Sequence, residues 1–123
     1  MKLTLDARTD VNVIRSYAPG AVRIGEQTLH THCIVAADRL IADWEVQSVD
    51  TLSAQDLEPV FALAPEVALL GTANAQRFPA REVRAAFAAR GIGLEVMDLG
   101  AACRTYNILV QEARRVVAML LVR

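Results

Sequence analysis

Apolar and polar residues alternate through the first third of the chain, with the period of two that is typical of β-strands. The alternation falls into short segments at residues 11–17, 22–24, 28–36 and 40–44. The turns between them hold too few residues for a crossover helix, so the segments predict antiparallel hairpins. Residues 1–10 show no clear period and predict a loose arm ahead of a single domain over residues 11–123.

From residue 53 onward, helical stripes alternate with short apolar runs. Ser53 and Asp56 are spaced as a capping box and predict a helix start, Pro59 either begins or bends that helix, and Pro65 ends it. Further helices are predicted at residues 79–90 and 101–113, and buried strands at 67–70, 92–97 and 116–122. The second half is therefore β–α–β–α–β, and the chain as a whole predicts an α/β fold with both antiparallel and parallel strands.

Composition narrows the class of protein. The 123 residues carry a net charge of −1 and only 5% aromatic side chains, which argues against a nucleic-acid partner. The longest apolar run, residues 116–122, is far shorter than the roughly 20 residues of a membrane-spanning helix. Two cysteines without CxxC spacing do not form a disulfide framework. We therefore predict a cytoplasmic protein that does not insert into a membrane.

Two polar turns follow the predicted parallel strands, and the carboxyl ends of such strands are where open α/β sheets bind ligands. The first turn reads GTANAQRFP. Its glycine, Gly71, allows close backbone approach, Thr72 and Asn74 offer hydrogen bonds, and Arg77 can bind an anion near a helix start. The alternative is an ordinary turn in which Thr72 and Asn74 satisfy the local backbone. The sequence matches neither a P-loop nor a GxGxxG motif.

The second turn begins at Asp98 and leads into a helix that carries Cys103, Arg104, Thr105 and Asn107. Asp98 is suited to cap that helix, and it could also face Arg77 across a crevice between the two turns. A thiol near a helix start and beside an arginine can be activated as a nucleophile. Free cysteines are more often buried, and we favour a buried Cys103.

His30, His32 and Cys33 raise the question of a metal site. In one strand the two imidazoles share a face while Cys33 points to the other, and a closed zinc site needs four ligands. We therefore predict no metal and no cofactor.

The segments LLGTANAQRFP and GIGLEVMDLGAACRTYNILVQEARRVVAMLLV resemble a widespread family of small domains of unknown function. The family includes bacterial proteins, an archaeal prototype of the Mth938 type and the mitochondrial assembly factor 3 of respiratory complex I. The resemblance implies a three-layer α/β domain with a central mixed sheet. It also implies a binding surface at Gly71, Thr72, Asp98, Cys103, Arg104, Thr105 and Asn107. Ala73 and Leu99 stand where the family often has glycine and threonine.

Two hypotheses for function follow. The first is a non-enzymatic binding or assembly module that acts through the polar crevice on a protein partner. The second is a small enzyme or ligand sensor that binds a small anionic metabolite in the same crevice, with Cys103 as its nucleophile. Because no catalytic set is complete in the sequence, we expect the first.

Overall fold

The computed structural model describes residues 10–123, which form two β-sheets and three α-helices. The loose arm predicted for residues 1–10 lies, apart from Asp10, outside the described residues. The strands are β1 (Ile14–Ala18), β2 (Ala21–Ile24), β3 (Gln27–Leu29), β4 (Cys33–Ala36), β5 (Arg39–Ile41), β6 (Val67–Thr72), β7 (Gly93–Asp98) and β8 (Val116–Leu121). The helices are α1 (Glu58–Ala62), α2 (Arg81–Ala89) and α3 (Leu99–Gln111).

The topology confirms the predicted change from antiparallel to parallel strands. Strands β1, β2 and β3 form a small antiparallel sheet. The large sheet has the order β5-β4-β8-β6-β7, in which β4 pairs antiparallel with β5 and β8, while β6 pairs parallel with β7 and β8. The fold is therefore α/β with a mixed sheet, as predicted.

The prediction of a single strand over residues 28–36 is wrong, because this segment contributes one strand to each of the two sheets. Leu29 ends β3 in the small sheet, and Cys33 begins β4 in the large one. The residues between them bond elsewhere: Thr31 Oγ1 donates to the carbonyl of Ala42, and the carbonyl of His32 accepts from the Trp44 amide at 2.8 Å. Leu29 and Cys33 are buried in the same core, so the alternation runs on through the break and hides it.

The large sheet separates two apolar cores. We call its sides the α3 face, covered by α3 and the small sheet, and the α2 face, covered by α1 and α2. Residues of β8 alternate between the two cores: Ala118 and Leu120 lie on the α3 face, and Val117 and Met119 on the α2 face. This burial on both sides explains the continuous apolar run at residues 116–122.

All three predicted helices begin at residues other than those expected. Helix α2 begins at Arg81 in place of residue 79, and local contacts explain the starts of the other two. The segment that begins at Ser53 is a 3₁₀ turn, Ala54–Leu57, followed by α1, with Pro59 in the first turn of α1 where its missing N–H costs nothing. The Ser53 amide donates to the Asp56 carboxylate at 3.0 Å, as the spacing predicts. Helix α3 begins at Leu99 because Asp98 caps it.

Candidate functional site at the carboxyl ends of the parallel strands

The two polar turns lie side by side, because the strands that lead into them are paired in parallel. Gly71 is opposite Met97, and Thr72 is opposite Asp98. The residues of both turns therefore gather at one edge of the large sheet, as the β–α–β–α–β pattern predicts.

Gly71 and Thr72 serve the fold at this edge. A Cβ on Gly71 would lie 2.7 Å from the Cβ of Ala102, so the glycine allows α3 to pack closely on β6. Thr72 is buried, and its hydroxyl donates to the carbonyl of Ala75 and accepts from the Arg77 amide at 3.1 Å. These contacts correspond to the ordinary structural alternative that the sequence left open for Thr72.

Arg77 and Asp98 are engaged with different partners and form no ion pair with each other. Arg77 Nη2 lies 2.6 Å from a carboxylate oxygen of Asp50 in an exposed ion pair. The Asp98 carboxylate accepts from the Ala101 amide at 2.9 Å and caps α3. The two side chains also line different shallow hollows, which meet at Ala73 and the exposed Asn74.

Cys103 lies on the buried side of α3, as expected for a free thiol. Burial raises the pKa of the Cys103 thiol to about 12. The positive charge of the nearby Arg104 acts in the opposite direction and has the smaller effect. A thiol with such a pKa holds almost no thiolate at neutral pH, and the thiolate is the nucleophile. The geometry therefore gives no support to a nucleophilic role for Cys103.

Asn107 and its neighbour Tyr106 attach the small sheet to α3. The Asn107 side chain accepts from the Ile14 amide and donates to the Ile14 carbonyl, both at 2.8 Å. The buried Tyr106 donates its hydroxyl proton to the carbonyl of Asn12 at 2.8 Å. Tyr106 and Asn107 therefore point inward and fix the position of β1.

Arg104 points outward from the same helix and meets a residue that the sequence pattern did not single out. Its Nη1 donates to the hydroxyl oxygen of Tyr17 at 2.7 Å, and the Tyr17 side chain is 43% exposed. The Tyr17 ring covers Gly100, where an added Cβ would lie 2.7 Å from the phenol oxygen. Gly100 is the feature of the sequence that could have indicated this contact, since a residue without a Cβ lets the Tyr17 ring approach the backbone of α3.

A shallow hollow of about 400 Å³ lies beside this pair, and we call it with its rim the Tyr17–Arg104 surface. It joins the turn after β1 to the start of α3, with Asn74 and Asp98 on its border. Thr105 is half-buried on the same helix. Of the predicted site residues, Asn74, Asp98 and Arg104 thus share one surface, while Arg77 lines the neighbouring hollow.

His32 and His30 differ in environment. His32 is buried, its Nδ1 accepts from the Val122 amide at 3.1 Å, and burial is the largest cause that lowers its pKa. His30 is exposed. Within residues 10–123, no three histidine, cysteine or acidic side chains gather closely enough to hold a metal ion.

Comparison with known proteins identifies the family. The sequence pattern of a family described as a protein of unknown function (DUF498/DUF598) matches residues 14–121, nearly the whole described chain. The chain belongs to this family. A protein from Danio rerio named NADH dehydrogenase (ubiquinone) 1 alpha subcomplex assembly factor 3 is 37% identical over 112 residues. The match covers 89% of this chain and 63% of that protein, so the chain spans less than two thirds of its relative.

Solved structures show the same fold. The crystal structure of a Bordetella parapertussis protein has a TM-score of 0.86 and 36% identity, covering 94% of this chain and 98% of the other. A solution structure from Bordetella pertussis, described as a Mth938-like domain, has a TM-score of 0.81 and 32% identity, covering 99% and 92%. The predicted resemblance is confirmed. Among the described residues, no helix has the length and apolar character needed to span a membrane.

Proposed function

We propose that this chain is a non-enzymatic binding module that assists protein assembly through the Tyr17–Arg104 surface. The observation that carries the proposal is the hydrogen bond from Arg104 to Tyr17. Tyrosine and arginine are enriched among the residues that dominate binding energy in protein interfaces. Here the two hold each other in place on the surface, so less side-chain entropy is lost when a partner binds.

The neighbouring contacts support a rigid binding surface. Asn107, Tyr106 and Gly71 fasten α3 to both sheets, and Arg104 rises from the same helix. A surface built on packed elements keeps its shape better than one built on a loop. Ile108, one turn further along α3, is 59% exposed and can extend the apolar part of the contact.

The name of the Danio rerio relative supports assembly as the role, and NADH dehydrogenase as the enzyme whose assembly should be examined first. We further propose a cytoplasmic location, because both cysteines are free and reducing compartments keep thiols in that state. A bound protein would cover the hollow beside Tyr17 without any chemical step.

The test is deletion of the gene in the organism that carries it, followed by native gels of its NADH dehydrogenase. We expect less assembled enzyme, which the unchanged gene restores and Arg104→Glu does not. Arg15→Glu is the matched control, since Arg15 is an exposed arginine on the same strand as Tyr17. Normal assembly in the deletion strain would remove the proposed role, and full rescue by Arg104→Glu would remove the proposed surface.

A further inference from the structure

Strand β7 is an open edge of the large sheet. It pairs with β6 along six residues, Gly93–Asp98, and within residues 10–123 the sheet order places no strand on its other side. Six residues extend over about 20 Å, which is the length of an ordinary strand. The opposite edge strand, β5, has only three residues. An edge of this length presents backbone groups that can pair with another chain.

Two hydrogen bonds show which backbone groups face outward. The amide of Gly93 donates to the carbonyl of Glu66, the residue before β6, at 3.2 Å and so faces the side of β6. The carbonyl of Val96 accepts from the Nε2 of the exposed Gln76 at 2.9 Å. Since neighbouring residues of a strand direct their polar groups to opposite sides, Leu94 shares the outward side with Val96. The Gln76 amide thus stands where the N–H of an added strand would bind.

A groove lined by both apolar and polar side chains runs beside this edge. It has a volume of about 870 Å³, lies between α2 and β7 on the α2 face, and includes Phe78, Ile92 and Leu94 in its wall. Phe78 is 56% exposed, whereas Phe87 in the same wall is fully buried. A strand added beside β7 would direct every second side chain into this groove, because strand side chains alternate between the two faces of a sheet.

The charge of the groove selects the kind of strand. Arg81 and Arg84 line it, against Glu95 as the one acidic residue among the described residues of the wall. Neither arginine forms an ion pair with another described residue, and the Arg84 guanidinium lies 5.6 Å from the centre of the Phe78 ring. Antiparallel pairing of two copies through β7 would set α2 of one copy, with these arginines, against α2 of the other. The charges therefore favour an acidic partner over a second copy.

We propose that β7 and the adjoining groove bind an extended, acidic segment of a partner protein as an additional strand. The added backbone pairs with Leu94 and Val96 and displaces the Gln76 side chain. The side chains of the segment that enter the groove are apolar where they meet Phe78 and Ile92, and acidic where they meet Arg81 and Arg84. This is recognition by strand addition, in which backbone hydrogen bonds give affinity and pockets for alternate side chains give specificity.

The probe is a fluorescent synthetic peptide of about eight residues, the length of one strand, with valine and glutamate sharing the alternate positions that face the groove and threonine at the positions between them. Anisotropy with the full chain should show saturable binding with a Kd below about 1 mM. Amide signals of Leu94 and Val96 should shift most in NMR spectra. Lysine in place of each glutamate should weaken binding about tenfold or more, since like charges then meet in the groove.

Two peptides with backbone N-methyl groups separate strand addition from plain groove binding. Methylation of the amides that face β7 should weaken binding about tenfold or more, and methylation of the alternate amides should leave it within about twofold. The double variant Arg81→Glu and Arg84→Glu should lose the acidic peptide, while Arg15→Glu, on the other sheet, should keep it. Equal effects of the two methylation patterns would overturn strand addition.

Other outcomes also decide the matter. No saturable binding up to about 1 mM would overturn the proposal, and so would a dimer in sedimentation whose contact protects β7. The proposed peptide contacts at Leu94 and Val96 lie outside the Tyr17–Arg104 surface, which β7 reaches only at Asp98, so Arg104→Glu should bind the peptide normally. A variant that loses peptide binding but still restores NADH dehydrogenase assembly in the deletion strain would therefore leave the proposed function in place.

Discussion

The two faces of the large sheet are covered to different degrees. On the α3 face, a thirteen-residue helix buries six residues and is tied to the small sheet by Tyr106 and Asn107. On the α2 face, a nine-residue helix buries only Val83 and Phe87, and a groove of about 870 Å³ opens beside it. The first face is closed by polar contacts from α3 to the small sheet. The second is held mainly by apolar packing, with a hydrogen bond from Trp44 Nε1 to the Asp56 carbonyl, and it is left partly open.

This difference shows what the distinctive sequence motif does. Most of the run from Cys103 to Asn107 closes the α3 face, and only Arg104 points to solvent with a partner at the surface. The sequence of α2, REVRAAFAA, carries no such motif and borders the open groove. A motif that resembles a reactive site can therefore be required mainly by the fold, while a segment without a motif leaves a face partly open.

The largest expected effect is the difference in alkylation rate of the Cys103 thiol between the folded protein, in which it lies on the buried side of α3, and the unfolded chain. Its pKa is raised to about 12 from the ordinary 9, so the thiolate fraction at pH 8 should be about 1000-fold lower than in the unfolded chain. Alkylation of the Cys33→Ala variant, followed by mass spectrometry with and without urea, measures the two rates. Native labelling within about threefold of the unfolded rate would mean that α3 opens readily.

Phe87 tests how the α2 face is held. It is fully buried and packs edge-to-face on Phe61, with ring centres 5.1 Å apart. Phe87→Ala should lower the free energy of unfolding by about 3–5 kcal/mol, measured in urea. Phe78→Ala, in the groove wall, should change it by less than about 0.5 kcal/mol. Similar losses for both would mean that the groove is part of the core.

Asn107 and Asn74, both candidate ligand residues from the sequence, test the polar closure of the α3 face. Asn107→Ala breaks two hydrogen bonds to Ile14 and leaves its amide and carbonyl partly buried, so we expect a loss of about 2–3 kcal/mol in urea unfolding. Asn74→Ala, at an exposed site, should cost less than about 0.5 kcal/mol. An Asn107→Ala variant of normal stability would reassign that side chain to the surface.

The strands and helices after residue 53 could be predicted because their signals are local. Runs such as residues 67–70 are too apolar for one exposed face, and Pro and Gly mark the helix ends. The exchange of sheets between Leu29 and Cys33 could not be predicted, because the alternation continues through it. That break depends on hydrogen bonds to Ala42 and Trp44, which are distant in the sequence.

The location of the candidate site could be predicted from the sequence, but the partners of its individual side chains could not. Parallel strands require the two turns to meet, and Thr72 does lie opposite Asp98. Whether Arg77 pairs with Asp98 or Asp50 depends on a loop from the α2 face, which periodicity does not locate. The contact of Arg104 with Tyr17 joins residues 87 positions apart. The open β7 edge follows from strand order, and strand order is set by the whole fold.

The smallest expected effect concerns His32, where the small sheet meets the end of β8. Its Nδ1 accepts from the Val122 amide, and the Val122 carbonyl accepts from the Gly20 amide at 2.9 Å. Burial and the charge of Arg123 lower the His32 pKa, against opposing contributions from Gln47 and Asp43. Because the folded pKa lies below the unfolded value, the stabilisation is present above about pH 6.5 and is lost as the pH falls through the folded pKa.

Urea unfolding from pH 7.5 to 5 should therefore show a free energy of unfolding that declines toward acid, at no more than about 1.4 kcal/mol per pH unit from this one group. His32→Asn keeps an acceptor near the Nδ1 position and cannot titrate, so its lower stability should depend less steeply on pH. His30→Asn, at the exposed histidine, should follow the unchanged protein. Equal slopes for the His32→Asn variant and the unchanged protein would show that protonation of His32 does not weaken this junction of the α3 face.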